Sequence, residues 1–215
     1  PIYAIISENT LENRFMASRV APISDGELPS ELAPDFDIIL KSNGYIPFSY
    51  KVLAHRPNIL KALMDLSKAV IRDEGAVDRG FRFLIAYISS RTRGCQYCQA
   101  HNIKSADRWG ISEDRLNEVW TYETSSLFSK AERAALSFAQ AAATVPNHVD
   151  DGLFAELREH WTDEQIVEIT AVVSLFGWMN CFNDVLHVDL DKETIEWCEE
   201  FGLGEKTGWD PIDHI

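Results

Sequence analysis

The chain has 215 residues, 46% hydrophobic and 25% charged, with 20 basic against 34 acidic side chains and a formal net charge of −14. Those proportions exclude a disordered chain and set the size at one large domain or two small intertwined halves. Such an acid excess offers no electrostatic footprint for nucleic acid and is repelled by anionic membrane surfaces, which leaves small-molecule chemistry or protein partnership.

The opening Pro1-Ile-Tyr-Ala-Ile-Ile-Ser-Glu-Asn has no basic region and only a short apolar run, so it does not read as a secretory signal. Residues 1–34 read as irregular, punctuated by Pro22, Gly26, Pro29 and Pro34. Helices are predicted over Asp35–Lys41, stopping before Asn43-Gly44, and near Phe48–Ala54. Another starts at Pro57, a residue suited to a first helical turn, and reaches about Arg72, with Ile59, Leu60, Leu63, Leu66 and Val70 on one apolar face. Val77–Thr92 is predicted helical, with Phe81, Leu84, Ile85 and Ile88 on one side.

Ser112 caps a helix whose first turn, Glu113-Asp114, suits the helix dipole. Ser129 and Glu132 form a capping box opening Arg133–Ala143, and Thr162 and Gln165 another, opening a long helix to about Leu186. The long helix is apolar nearly all round (Ile166, Ile169, Val172, Val173, Phe176, Met179, Phe182), which places it in the domain centre or a subunit interface. Its Glu168, Asn180, Asn183 and Asp184 favour a core helix over a membrane span. A short helix near Glu193–Phe201 and a Gly-rich end complete the chain. Trp120, Trp161, Trp178 and Trp197 are expected in core or interface packing. The fold class is all-α: a single domain with a helical hairpin over 77–110 and a second helical half over 129–187.

Four cysteines, Cys95, Cys98, Cys181 and Cys198, are too sparse for a disulfide scaffold. A cytoplasmic location is expected, where a close cysteine pair points to catalysis or metal binding. The segment Ser89-Ser-Arg-Thr-Arg-Gly-Cys95-Gln-Tyr-Cys98-Gln-Ala-His101-Asn102 carries the chemistry. Gly94 breaks one helix and Cys95 falls at or near the start of the next, where free N–H groups and the positive dipole end favour a thiolate. Arg91 and Arg93 add positive charge nearby. The i, i+3 spacing puts both sulfurs on one side of the first turn, in reach of a strained, reducible disulfide. His101, three residues past Cys98, is placed to take a proton from a thiol and return it to a leaving alkoxide.

Other readings remain at this stage. Zinc would find only three ligands, Cys95, Cys98 and His101, with no second CxxC or HxxxH following. Haem attachment needs a histidine where Gln99 stands. Inert buried thiols beside a core histidine would need no chemistry at all. No cofactor and no metal are expected. Glu132 and His55 are candidate polar groups near the thiols, Tyr97 lines a substrate entrance or packs outward, and Cys181 and Cys198 are expected as buried bystanders. His148, His160 and His214 read as surface residues, and His187 as a helix C-terminal cap.

The Cys95-x-Tyr-Cys98-x-Ala-His101 core resembles the alkyl-hydroperoxidase D-like (AhpD-like) branch of the carboxymuconolactone decarboxylase family. The segments Gly44-Tyr-Ile-Pro-Phe, Leu53-Ala-His-Arg-Pro57, Leu127-Phe-Ser-Lys-Ala-Glu-Arg133, Phe176-Gly-Trp-Met-Asn180-Cys-Phe-Asn183 and Gly208-Trp209 are similar to blocks of its peroxidase-related members, in the same order. The resemblance implies an all-helical homo-oligomer (dimer, trimer or hexamer) that reduces a small-molecule peroxide. Cys98 would be the peroxidatic nucleophile, Cys95 would resolve its sulfenate, and an external dithiol would reduce the resulting disulfide.

Two positions depart from the family pattern. The relay glutamate twelve residues before the first cysteine is Phe83 here, and the histidine follows Cys98 by three rather than four, with Asn102 at plus four. The proton relay is therefore rebuilt from other groups or weakened. Glu168 precedes Asn180 by the same twelve residues, an echo of an internal duplication or a coincidence. The rival functions are a non-catalytic redox-sensing or scaffolding oligomer, which Phe83 favours, and lactone chemistry on the same scaffold, which would not need both thiols.

Overall fold

The computed structural model describes residues 18–211, so the N-terminal signal reading and His214 lie outside the described residues. Eleven α-helices follow in order: α1 (Ala33–Asn43), α2 (Phe48–Leu53), α3 (Pro57–Ser67), α4 (Arg79–Thr92), α5 (Gln96–Arg108), α6 (Glu113–Glu118), α7 (Lys130–Ala143), α8 (Asp151–His160), α9 (Asp163–Leu186), α10 (Lys192–Phe201) and α11 (Leu203–Thr207). There is no strand among the described residues.

Local chemistry sets most of the ends. Gly44 closes α1 in the left-handed region at φ 85°. The run after Pro57 is α-helical to Ser67 and widens into a π turn over Lys68–Arg72. Asp78 caps α4, its Oδ1 accepting the Phe81 N–H at 2.9 Å. Both capping boxes form, at Ser129 with Glu132 and at Thr162 with Gln165. Ser112 takes the N-cap backbone geometry without a side-chain bond. Helix α8, absent from the sequence reading, buries only Leu157 and is opened by Asp150, which accepts the Leu153 N–H at 2.8 Å.

The centre of the fold is α4, which buries ten residues in an unbroken run from Leu84 to Ser90 preceded by Gly80, Phe81 and Arg82. It packs against α5, α7 and α9. Helix α9, expected in the centre or an interface, does half of this: Ile166, Ile169, Val172 and Met179 face the core, while Val167 is 68% and Trp178 43% exposed. The outer side of α9 and the neighbouring α3 enclose an apolar cavity of about 490 Å³ that includes Leu66 and Trp178. By length and composition α9 would also span a bilayer; here it lies against α4, α5 and α7. Trp161 meets the packing expectation, stacking on Phe81 at 5.9 Å and donating its indole N–H to Ala131 O at 2.8 Å. Trp120 is instead partly exposed, under the Arg91 guanidinium at 4.4 Å.

One ion pair ties α4 to α9 through the loop between the π turn and α4. Arg82 is 1% exposed; its Nη1 lies 3.1 Å from Glu168 Oε1 and donates to Val70 O at 2.9 Å, and its Nη2 donates to Asp73 O at 2.8 Å. Glu168 Oε2 accepts the Val77 N–H at 3.0 Å. Gly75 lies against the carboxylate so closely that a Cβ would come within 1.9 Å of Oε1. The twelve-residue echo at Glu168 therefore marks a structural ion pair far along α9 from the thiols. Removing one charge strands the other in the interior, so Arg82→Met should cost about 3–5 kcal/mol. The Arg82→Met/Glu168→Leu double variant should recover part of that loss, read as a coupling energy in a denaturant double-mutant cycle.

Candidate active site

Helix α4 ends in a Schellman motif: the Gly94 N–H bonds to Arg91 O at 3.0 Å and the Cys95 N–H to Ser90 O at 3.1 Å, with Gly94 at φ 79°. Cys95 is then immediately the N-cap of α5, its Sγ accepting the Cys98 N–H at 3.5 Å. The two thiols are free and lie across one helical turn, 0% and 2% exposed. Asn183 of α9 donates its Nδ2–H to Cys98 Sγ at 3.3 Å. Asn180, one turn earlier and 1% exposed, leaves both amide atoms without a protein partner, and Asn183 leaves its Oδ1 so.

The expected thiolate-favouring field is not what surrounds Cys95. Burial pushes its thiol well up, and the neighbouring Cys98 and Asp184 push in the same direction. The arginines are turned elsewhere. Arg91 donates to Tyr87 Oη at 3.3 Å and to Thr207 O at 3.2 Å. The Arg93 guanidinium lies over Gly177 of α9. The helix terminus and local basic residues are sequence-near; the burial and the Asp184 carboxylate come from tertiary packing and win.

His101 is held one turn beyond Cys98. Its ring lies 4.4 Å from that of Tyr97, and its Nε2 is 3.1 Å from Asp191 Oδ2, an ion-pair distance at an angle too bent for a hydrogen bond. No hydrogen bond joins His101 to either sulfur among the described residues. Tyr97 neither lines an entrance nor packs outward: it is buried, donates to Ser49 Oγ at 3.1 Å and Asp191 Oδ2 at 3.3 Å, and accepts the Ser49 N–H at 3.2 Å. Asp191, just before α10, also accepts the Phe48 N–H at 3.0 Å, so a single buried carboxylate gathers α2, α5 and α10. Trp209 donates its indole N–H to Gln96 O at 3.0 Å and pins the chain end onto the first turn of α5.

Other candidates fall away from the thiols. His55 Nε2 pairs with Ala21 O at 2.9 Å, and Glu132 is consumed by its capping box and by Arg115. Asn102 donates to Ser90 Oγ at 3.2 Å, bracing α5 on α4. His187 occupies the C-cap of α9 at φ 48°, as expected. Cys198 is buried as expected, whereas Cys181 is exposed on α9, contrary to the sequence reading, because the outer side of that helix is uncovered. No group of three or more His, Cys, Asp or Glu side chains is arranged to hold a metal ion among the described residues. Sequence reasoning missed Asn183 and Asp184 as thiol neighbours and Asp191 altogether. For the first two the available signal was an Asn-Asp step at the end of an otherwise apolar helix; for Asp191 there was none.

This arrangement of helices is an AhpD-like fold. The alkylhydroperoxidase AhpD core of a peroxidase-related protein from Ralstonia eutropha JMP134 superposes with a TM-score of 0.73 over 83% of this chain and 94% of that one, at 23% identity. Residues 57–141 match the carboxymuconolactone decarboxylase family. The debrominase Bmp8, solved as a cysteine-to-alanine variant in complex with 2,3,4-tribromopyrrole, is 27% identical with a TM-score of 0.79 over 86% of this chain and 98% of that one. Uncharacterized protein YnjA of Escherichia coli K12 is 32% identical over 118 residues, 54% of this chain and 64% of YnjA. The fold and family thus contain enzymes of more than one chemistry.

The buried thiols also leave a signature in stability. Burial raises the Cys198 thiol from its usual 9.0 to about 12. A raised acid keeps its proton in the folded state, so this contribution is complete below about pH 9 and is lost as pH rises through 12. Cys198→Ala should flatten the fall of unfolding free energy between those pH values by about 1.4 kcal/mol per pH unit, measured by urea denaturation across the range.

Proposed function

We propose that the chain is a thiol-dependent reductase of organic hydroperoxides, working through Cys98 and Cys95 without a cofactor. The observation that carries this reading is the asymmetric environment of two free thiols on one turn: Asn183 donates to Cys98 Sγ, while burial, Cys98 and Asp184 keep Cys95 protonated. A sulfur that receives an N–H bond is suited to carry negative charge; its protonated neighbour is suited to follow it.

Cys98 Sγ, as thiolate, attacks the terminal oxygen of R–O–OH. The O–O bond breaks, R–O⁻ leaves and takes a proton, and Cys98 becomes a sulfenic acid. The Cys95 thiol then attacks that sulfur, releasing water and forming the Cys95–Cys98 disulfide, and an external dithiol restores both thiols. His101, with Asp191 on its Nε2 side, is the proton carrier to the alkoxide. The unpartnered Asn180 Nδ2–H can donate to a peroxide oxygen, and the Oδ1 atoms of Asn180 and Asn183 can accept the hydroperoxide O–H. This enzyme would act in the cytoplasm as a homo-oligomer, with the uncovered apolar side of α9 available for a second copy.

A second reading is reductive dehalogenation, favoured by the likeness to Bmp8 over 86% of this chain. The same dithiol would supply two electrons: a carbon–bromine bond gives carbon–hydrogen and bromide, and the thiols again end as a disulfide.

Consumption of tert-butyl hydroperoxide with a dithiol reductant separates these. Turnover is expected in the wild type and absent in Cys98→Ser, with a dimedone-trappable sulfenate accumulating in Cys95→Ser. His101→Gln should lower turnover by about 10²-fold. Wild type and Cys98→Ser equally slow would end the peroxidase reading, and Cys98-dependent bromide release from 2,3,4-tribromopyrrole in the same protein would put dehalogenation in its place.

A further inference from the structure

The guanidinium of Arg93 stands without a partner. Among the described residues it makes no ion pair, and its buried Nε has no acceptor, although the chain carries 34 acidic side chains. It lies against Gly177, where a Cβ would come 3.3 Å from Nη2 and 3.4 Å from Cζ and would push the guanidinium aside by a few tenths of an ångström. In front of it is a cavity of about 460 Å³ between α7, α8 and α9, within the size range of small-molecule sites. The wall is apolar at Phe138, Phe154 and Val173, polar at Asn147, Thr170 and Ser174, and contains no aspartate or glutamate.

We propose that this cavity binds an organic carboxylate: a small anion whose charged group pairs with Arg93 and whose apolar body lies between Phe138 and Phe154. A planar guanidinium with unused donors fits a carboxylate in a two-pronged bond, and partial burial strengthens it. A neutral ligand would leave the cation as unpaired as it is now. An apolar body fits the two aromatic rings, with Asn147, Thr170 and Ser174 left for a polar substituent. The position follows from the fold: Arg93 is the C-cap of α4, two residues before Cys95. A ligand seated there stands beside the turn that carries the thiols, yet its binding needs no thiol chemistry.

The test is calorimetric titration of the full chain with phenylacetate, with phenylacetamide as the uncharged counterpart. Phenylacetate should bind saturably and at least ~10-fold more tightly than phenylacetamide. Arg93→Met should remove that preference, Arg93→Lys should keep part of it, and Gly177→Ala, which presses on the guanidinium, should weaken phenylacetate binding. Cys98→Ser should bind it as the wild type does, so failure of the thiol chemistry leaves this result untouched. Equal affinity for acid and amide, or a preference that survives Arg93→Met, would overturn the proposal. So would absence of binding together with a changed oligomeric state of Arg93→Met, since the partner of Arg93 would then be a carboxylate on a second copy.

Discussion

Everything around the thiol pair hangs on one backbone joint, where Cys95 serves two helices at once. As the last residue of the Schellman motif it gives its N–H to Ser90 O and closes α4; as the N-cap of α5 its sulfur takes the Cys98 N–H. The joint has no spare residue. Gly94, at φ 79°, makes the only left-handed step, and the direction of α5 is fixed by the time the chain reaches Gln96. With α4 buried in the centre, that direction carries Cys98 onto α9 and Tyr97 onto Ser49 and Asp191. Asn102 to Ser90 and Trp209 to Gln96 brace the same joint from either side.

What could be read from the sequence is what nearest neighbours decide. Capping boxes at Ser129 and Thr162 and the cysteine at a helix start are local, and they formed as read, while the helix expected to stop before Asn43-Gly44 runs on through Asn43 to its left-handed Gly44 cap. The electrostatics of Cys95 could not be read in this way. Arg91 and Arg93 are close along the chain, but their guanidinium groups go to Trp120, Thr207 and Gly177, while Asp184 arrives from 89 positions away. The same holds for Asp191, an unremarkable acid in sequence that becomes a buried hub only when α2, α5 and α10 meet. Glu168, whose twelve-residue spacing reads equally as an echo of a duplication or a coincidence, is a buried ion-pair anchor, a role its spacing does not reveal.

The departures from the family's relay acquire a physical sense from this geometry. Phe83 sits where a glutamate would be, half-buried against the core, so α4 brings no carboxylate to the thiols. Acidic groups reach the pair and its histidine from other helices instead, Asp184 toward Cys95 and Asp191 toward His101. A shared fold carrying relatives with different printed activities is the ordinary case for such scaffolds, because chemistry resides in the side chains that line the site. Here those side chains come from α5, α9 and the start of α10, and only the first of these belongs to residues 57–141.

The near-complete enclosure of both sulfurs has a kinetic consequence. At 0% and 2% exposure, neither thiol meets solvent in the resting fold, so an oxidant reaches them only while the packing of α5 against α9 and α10 is parted. Any reaction at these sulfurs would therefore have to be preceded by such a parting. Cys181, exposed on the outer side of α9, has no such enclosure within the single chain.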